Sequence, residues 1–304
     1  MAGVIRIATR ASRLALWQAE HVRELLRQQA GVEAEIVHVR TEGDRNQSDP
    51  LRQFGGTGVF TREVQRSVLD EETDIAVHSL KDLQTEPTQG LVLAAVPSRA
   101  PTADAVLLPA GAEPVNSLDD LADGARIGTG SPRRQAQLLH RRPDLRMLEI
   151  RGNVETRIRK LDEGEFDAIV LAEAGLMRLG LDNRISLRLV PPQVYAAVGQ
   201  GALGLECRED DASTRELLSR LTDPTVLSCV LAERSLLATL RAGCHAPLGV
   251  ASELKADLLG LTAVLLTIDG KTRHVATSSG PAADPQAVGR TVAQQLLDAG
   301  ARVE

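Results

Sequence analysis

Residues 126–157 read RIGTGSPRRQAQLLHRRPDLRMLEIRGNVETR, and in them an apolar run is twice followed by a glycine-containing loop and a helical pattern. Ser131 before Pro132 is typical of a helix N-cap with proline at the first helical position. We predict a strand before each loop and helices that begin near Ser131 and Asn153. Strands that alternate with helices in this way favour an α/β fold.

The same alternation extends in both directions along the chain. It runs from residue 4 to residue 78 and restarts after Asp104, which predicts two α/β lobes with parallel strands. From Asp223 onward the pattern changes to a small α+β domain, with an Asp269-Gly270 turn and a last helix that opens at Asp284. The predicted strands are 4–8, 34–39, 74–78, 105–108, 126–128, 147–150 and 167–171; the predicted helices are 12–29 and 61–69, with others that begin near 118, 131, 153 and 173.

Composition limits the function. The chain has 304 residues, 43% of them hydrophobic and 25% charged, which fits a globular protein of two or three domains. Aromatic residues make up 2% and the net charge is -6, so nucleic acid is a poor candidate partner. No signal-like amino terminus and no run of about 18 apolar residues occurs, so we expect a cytoplasmic protein without a membrane partner. The three cysteines and six histidines lack metal-ligand spacing, and no metal is expected.

Positive charge is concentrated locally. Residues 126–160 hold ten Arg or Lys against three Asp or Glu. Guanidinium groups beside a helix N-terminus suit two-point binding of carboxylates or phosphates. We therefore favour ligand binding for Arg133, Arg134, Arg151 and Arg157, and a compact polyanion as the ligand. Arginines without a glycine or cap context are expected to be solvated surface, namely Arg141, Arg142 and Arg159.

A second candidate site lies at predicted strand ends. The apolar run 74–77 is followed by His78, Ser79, Lys81 and Asp82. Ligands of open α/β sheets bind at the carboxyl ends of strands, so Asp82 could be an acid, a base or a cation stabiliser. A plain salt bridge between Lys81 and Asp82 is the alternative. Arg10 and Ser12 follow the first strand and are expected at the same cleft.

Cys244 lies in the loop RAGCHAPLG, residues 241–249, between two glycines. A lone cysteine is commonly a small buried apolar residue, whereas a cysteine in a glycine-flanked loop is open to chemistry. The sequence around Cys244 leaves both possibilities open. The long polar segment 41–58 is the candidate for a mobile loop that closes over a site.

Together these segments resemble the porphobilinogen deaminase family, also called hydroxymethylbilane synthases. The resemblance extends along the whole chain, and seven motifs stand in the family's order. They are RIATRASRLA at 6–15, HSLKD at 78–82, SPRRQ at 131–135, RGNVETR at 151–157, AGLMRLG at 174–180, VGQGA at 198–202 and GC at 243–244.

The resemblance implies two α/β lobes similar to periplasmic binding proteins and a small C-terminal α+β domain. The expected domains are 1–99 with 199–221, 104–195, and 222–304. The resemblance also implies the stepwise condensation of four porphobilinogens, with loss of ammonia, into hydroxymethylbilane. The expected primer is a dipyrromethane cofactor that the enzyme builds from its substrate and binds to Cys244 through a thioether.

The resemblance further implies site residues. Asp82 is the expected catalyst. The carboxylates of the cofactor are expected on Lys81, Ser131, Arg133, Arg134 and Arg157, and those of substrate and growing oligopyrrole chain on Arg10, Ser12, Arg151, Arg178 and Gln200. We expect Arg151→Leu and Arg134→Leu to stall elongation or primer assembly without loss of the fold. A monomer is expected.

Some positions depart from the family pattern. Thr57 replaces a lysine of the mobile loop, Gln84 and Ala197 replace prolines, and residues 99–104 lack an acidic pair and an arginine. These changes concern hinge stiffness and rate. Two other functions stay open: a non-catalytic anion receptor built on the same lobes, and a phosphate-ester enzyme, which would need the lysine-containing phosphate loop that this chain lacks.

Overall fold

The computed structural model describes residues 4–39, 61–243 and 246–302. They divide into two units, the first built from 1–100 and 201–227 and the second from 101–200 and 228–304. The predicted mobile loop 41–58, with Thr57, and the cysteine Cys244 lie outside the described residues.

The elements follow in chain order. The strands are β1 (Ile5–Arg10), β2 (Ala34–Val39), β3 (Ile75–Ser79), β4 (Leu91–Ala95), β5 (Asp104–Leu107), β6 (Arg126–Gly128), β7 (Arg146–Leu148), β8 (Ala168–Ala172), β9 (Leu187–Leu189), β10 (Leu203–Arg208), β11 (Leu248–Lys255), β12 (Leu258–Leu266) and β13 (Arg273–Pro281). The α-helices are α1 (Arg13–Leu25), α2 (Arg62–Leu69), α3 (Pro132–Arg141), α4 (Val154–Asp162), α5 (Glu173–Arg178), α6 (Ala212–Ser219), α7 (Pro224–Thr239) and α8 (Pro285–Asp298).

The first unit holds a sheet in the order β2-β1-β3-β10-β4. β1 is parallel to β2 and β3, while β10 is antiparallel to both β3 and β4. Alternate residues of a strand face opposite sides of its sheet. Ile7 and Ile75 therefore pack on one side with Val22 of α1, and Ala8 and Ala76 pack on the other side with α2.

The second unit holds a sheet in the order β7-β6-β8-β5-β9. β6 is parallel to β7 and β8, and β5 is antiparallel to β8 and β9. Helix α3 contributes Leu138 to the core on one side, and α4 contributes Ile158 and Leu161 to the core on the other. Both faces are covered around the neighbouring strands β5 and β8, which are buried along almost their whole length.

The same unit contains an antiparallel sheet, β11-β12-β13. Leu259 and Leu261 of β12 pack with α7 and α8, while Val264 packs with Ala136 of α3. The turn between β12 and β13 also meets α3, because His140 Nδ1 lies 2.7 Å from Gly270 O.

The predicted α/β class with a small C-terminal α+β domain is confirmed. The expectation of parallel strands is right for β1, β2 and β3 and for β6, β7 and β8. It is wrong for β5, which enters its sheet antiparallel. β10, which the sequence analysis did not predict as a strand, is also antiparallel to its neighbours. The helix expected near residue 118 is a single 3-10 turn, Leu118–Asp120, which begins with a capping box at Ser117 and ends where Leu121 becomes extended. The division into three domains stays a prediction.

No helix in the described part of the chain is both long enough and apolar enough to cross a bilayer.

Candidate active site

The first unit brings two strand ends together. β1 and β3 are parallel, with Ile7 opposite Ile75, so their carboxyl ends lie at one edge of the sheet. Arg10 and Ser12 at the end of β1 line the same pocket as Ser79 and Asp82 at the end of β3. The expected meeting of these side chains at one cleft is present in the structure.

Local hydrogen bonds fix the groups around this pocket. Ser12 caps α1, since its hydroxyl accepts the Ala15 N–H at 3.3 Å. Gln18 Nε2 donates to Ser79 Oγ at 2.7 Å and so joins α1 to the end of β3. Asp82 is exposed at the end of the 3-10 turn Leu80–Asp82, whose first N–H donates to Ala202 O at 3.0 Å. An exposed carboxylate is thus held on an anchored turn.

Beneath the pocket lies a buried pair that sequence reasoning did not find. His78 lines the pocket, and its Nε2 lies 3.0 Å from Glu206 Oε2, with both side chains almost completely buried. The ring nitrogen is not aligned for a hydrogen bond to that oxygen, so the two side chains are in close contact without one. Gln65 Nε2 donates to the same oxygen at 2.9 Å. The available signal was a glutamate inside the apolar run of β10.

In the second unit, the predicted cap of α3 is confirmed. Ser131 Oγ accepts the Arg134 N–H at 3.4 Å, and Pro132 is the first helical residue. Thr129 Oγ1 in turn accepts the Ser131 N–H at 3.2 Å. The first turn of α3 therefore begins beside the end of β6, as the sequence pattern predicted.

Arg133 and Arg134 lie in the interior, with side chains 5% and 7% exposed. Arg133 Nη1 donates to Asp104 Oδ2 at 2.7 Å and to Tyr195 O at 2.5 Å. Arg134 donates to Asp104 Oδ1 through Nε at 3.0 Å and Nη2 at 2.8 Å. One aspartate, at the start of β5, therefore holds both arginines, and sequence reasoning missed it.

The charges in this cluster shift the pKa values. Burial alone would raise the pKa of Asp104, but the charges of Arg133 and Arg134 outweigh burial and hold that pKa well below its usual range. Burial lowers the pKa of Arg133. The Asp104 carboxylate is thus ionised at neutral pH, and the cluster of one carboxylate and two guanidinium groups has an excess positive charge.

Gln200 belongs to the same cluster. It is fully buried, and its Nε2 donates to Thr102 O at 2.7 Å and to Asp104 Oδ1 at 2.9 Å. Substrate binding by Gln200, which the resemblance implied, stays a prediction. The structure gives the side chain a role in holding Asp104.

The second glycine loop leads into α4. Asn153 caps the helix by accepting the Thr156 N–H at 2.9 Å, as predicted. Arg157 Nε donates to Gly152 O at 2.8 Å. Gly152 has φ +106°, and an added Cβ would lie 2.6 Å from Thr156 Cγ2, so this turn needs glycine. Arg151 and Arg157 are half-buried beside it.

The remaining expected site residues are dispersed. Arg178, the last residue of α5, has a pKa that burial lowers to about 10. Lys81 is half-buried beside Asp82. Cys244 lies outside the described residues, but its neighbours Ala242 and Ala246 belong to the core under the third sheet.

One surface expectation is wrong. Arg141 and Arg159 are exposed, but the Arg142 side chain is only 12% exposed. Its guanidinium donates to Leu118 O at 2.7 Å and to Leu121 O at 3.2 Å. The turn carbonyls at 118–121 therefore make Arg142 a structural residue.

Two family models match the chain. The model described as "Porphobilinogen deaminase, dipyromethane cofactor binding domain" matches residues 5–216, and "Porphobilinogen deaminase, C-terminal domain" matches residues 227–298. The chain belongs to the porphobilinogen deaminase family. Among curated relatives, the porphobilinogen deaminase of Syntrophotalea carbinolica is 44% identical over 98% of this chain and 93% of its own length. That of Gloeobacter violaceus is 45% identical over 99% of this chain and 93% of its own length.

Solved structures similar in fold include a periplasmic substrate-binding protein of an ABC transporter from Coxiella burnetii. It is 17% identical to this chain, with a TM-score of 0.45, and the match covers 74% of this chain and 94% of the other chain. The BvgS VFT2 domain of Bordetella pertussis is 15% identical, with a TM-score of 0.43, and covers 72% of this chain and 86% of its own.

Family membership confirms the main functional expectation drawn from the resemblance. The protein is a transferase of tetrapyrrole biosynthesis that condenses porphobilinogen and has a dipyrromethane cofactor.

Proposed function

We propose that the protein joins four porphobilinogen molecules into hydroxymethylbilane on a dipyrromethane primer attached to Cys244, with Asp82 as the catalytic carboxylate. The observation that carries the proposal is the pocket of the first unit. There an exposed aspartate on an anchored turn shares one cavity with Arg10 and Ser12.

The second unit fits the cofactor. Dipyrromethane built from two porphobilinogens carries two acetates and two propionates, so its binding site needs excess positive charge. The Asp104 cluster has that excess. Arg133 Nε, in addition, is buried and has no hydrogen-bond partner among the described residues. We assign Arg133, Arg134, Ser131 and Arg157 of this unit to the cofactor carboxylates. Lys81 of the first unit is assigned to them on the family resemblance alone.

Each condensation breaks the bond between the aminomethyl carbon of porphobilinogen and its nitrogen, and ammonia leaves. A carbon–carbon bond then forms to the free α-carbon of the terminal pyrrole, and that carbon loses its proton. The bound cofactor supplies the first such α-carbon. Positive charge develops on the substrate pyrrole as the amine departs, and the Asp82 carboxylate stabilises this charge by accepting the pyrrole N–H.

Arginines hold the growing chain. Every added ring brings one acetate and one propionate, so the bound product becomes a polyanion. Arg10, Ser12, Arg151, Arg178 and Gln200 are our candidates for these carboxylates. The pKa of Arg178, lowered by burial to about 10, means that its charge is poorly solvated. An anion placed beside it would restore the favourable environment that water supplies elsewhere.

The three-domain division, with boundaries 1–99 plus 199–221, 104–195 and 222–304, is part of the proposal. The three sheets that the described residues form, each packed with helices, support it. A monomeric, cytoplasmic enzyme that binds no nucleic acid stays a prediction.

The test is the intact mass of the denatured protein, measured before and after incubation with porphobilinogen. We expect an increment of two porphobilinogens less two ammonias that is absent in Cys244→Ala. Cys207→Ala is the matched control, because burial raises the pKa of the Cys207 thiol to about 11 and makes it unreactive. It should keep the increment.

Substrate consumption tests Asp82 in parallel. Asp82→Asn should lower turnover by about 10²- to 10⁴-fold, while Asp70→Asn, an exposed aspartate of the same unit, should not. A wild-type chain that gains no mass and consumes no porphobilinogen would leave the non-catalytic anion receptor as the better explanation.

A further inference from the structure

We propose that Asp104 is a positioning residue for the cofactor: it fixes Arg133 and Arg134 in the orientation that receives the cofactor carboxylates. The inference rests on the proposed function and adds a residue to it. Asp104 itself is fully buried, so it acts through the arginines.

The two oxygens of Asp104 divide the arginines between them. Oδ2 accepts from Arg133, and Oδ1 accepts twice from Arg134 and once from Gln200. Guanidinium hydrogen bonds are directional, because the donors form a rigid planar fork. A single carboxylate between two guanidinium groups therefore fixes both the distance between them and their relative orientation.

The aspartate itself is held firmly. It opens β5, which lies inside the sheet between β8 and β9. Its backbone pairs with Ala172 on one side and with Leu189 on the other. A positioning residue on an interior strand is held more rigidly than a positioning residue on a loop.

The cluster of Asp104, Arg133 and Arg134 has a net positive charge that holding β5 and α3 together does not require. In the described part of the chain, Asp104 is the acidic side chain that contacts both arginines, so two positive charges face one negative charge. Buried charges are normally paired. Arg133 Nε has no hydrogen-bond partner within the described ranges. An anionic group that joined the cluster would account for both this atom and the excess charge.

A purely structural role is the competing explanation. In that case Asp104 would only join β5 to α3, and any variant that lowers stability equally would behave like an Asp104 variant. Val106→Ala provides the comparison, because it removes buried methyl groups two residues along the same strand. Both kinds of variant should lower the unfolding midpoint, and the positioning role predicts that only the Asp104 variants slow cofactor attachment.

The experiment measures the rate at which the full-length, cofactor-free chain gains the covalent adduct from porphobilinogen, well below the unfolding midpoint. We expect Asp104→Asn to load at least tenfold more slowly than wild type. Val106→Ala and Asp167→Asn, an exposed aspartate paired with Arg126, should load at the wild-type rate. Asp104→Glu keeps the charge but shifts the carboxylate by one methylene. It should also load slowly, and it decides the question if the asparagine variant does not fold.

Wild-type loading by a folded Asp104 variant would overturn the inference, as would a loss of rate in Val106→Ala equal to that in Asp104→Asn. Failure of the wild-type chain itself to acquire an adduct would instead count against the proposed function. The two failures are therefore distinguishable in one set of measurements.

Discussion

Replacing Arg134 by leucine should destabilise the fold as well as impair the site. The side chain is 7% exposed and makes three buried hydrogen bonds, two to Asp104 and one from Nη1 to Val170 O at 2.8 Å. In Arg134→Leu, Asp104 keeps Arg133 as its one cationic partner among the described residues, and the carbonyl of Val170 loses a donor. This burial changes the sequence-based expectation that the variant keeps its fold unimpaired.

The size of the expected destabilisation follows from the burial of the ion pair between Arg134 and Asp104. Breaking a buried ion pair by removing one partner costs about 3 to 5 kcal/mol, because the remaining charge stays desolvated. For a chain of this size, each kcal/mol lowers the unfolding midpoint by about 2 to 4 °C, so a drop of about 6 to 20 °C is expected. Arg159→Leu is the control. Arg159 is 60% exposed and pairs with Glu163, the residue that follows α4. Such an exposed pair contributes at most about 0.5 kcal/mol.

The assay is thermal unfolding of both variants beside wild type, with all three samples free of cofactor. Free samples matter because bound cofactor would add its own stabilisation. A midpoint for Arg134→Leu within about 2 °C of that for Arg159→Leu would refute the reasoning, since it would mean that the buried Asp104 tolerates the loss of its bidentate partner.

Three further predictions concern acid, backbone geometry and anion binding. The pKa of Asp104 is lowered in the folded state, so its ionised carboxylate contributes fully to the free energy of unfolding above the unfolded pKa of about 3.9. That contribution is lost as the pH falls below this value. The free energy of unfolding in urea should therefore depend less on pH between about 4 and 2 for Asp104→Asn than for wild type. Gly270→Ala should lower the free energy of unfolding, measured in urea, by about 1 to 3 kcal/mol. Its φ is +73°, and the added Cβ would lie 2.6 Å from backbone atoms of α3. Gly164→Ala is the control and should lower it less, because Gly164 has φ +82° but an added Cβ there would have no neighbour within 4 Å. Arg151→Leu, at a half-buried position, should stall elongation or primer assembly with an unchanged unfolding midpoint, and wild-type product release would contradict its assignment.

Local chemistry accounts for the parts of the site that the sequence predicted. Ser131 and Asn153 cap their helices because a short polar side chain before a helix satisfies a free N–H group. Arg10 and Asp82 share a pocket because parallel strands that are neighbours in the sheet have their carboxyl ends at the same edge. Both inferences need only neighbouring residues and the rule for parallel sheets.

Partners distant in sequence could not be predicted in this way. Asp104 meets Arg133 across 29 positions and Gln200 across 96, and Glu206 meets Gln65 across 141. These contacts depend on β5 and β10 entering their sheets antiparallel, and the alternation of strands and helices carries no information on that direction. A charged residue inside an apolar strand was the visible signal, but it does not identify its partner.

Burial also distinguishes the arginines that we propose as ligand-binding groups from the arginines on the surface. Arg159 is exposed, and water already solvates its charge, so a ligand carboxylate would gain little there. Arg133 and Arg178 have pKa values that burial lowers, which means that the folded chain holds their charges in an unfavourable environment. An anion that reaches them recovers part of that cost, and it does so at positions that the sheet and helices have already fixed. Asp104, with one charge for the two guanidinium groups of Arg133 and Arg134, leaves an excess of positive charge at the position where we propose that the cofactor carboxylates bind.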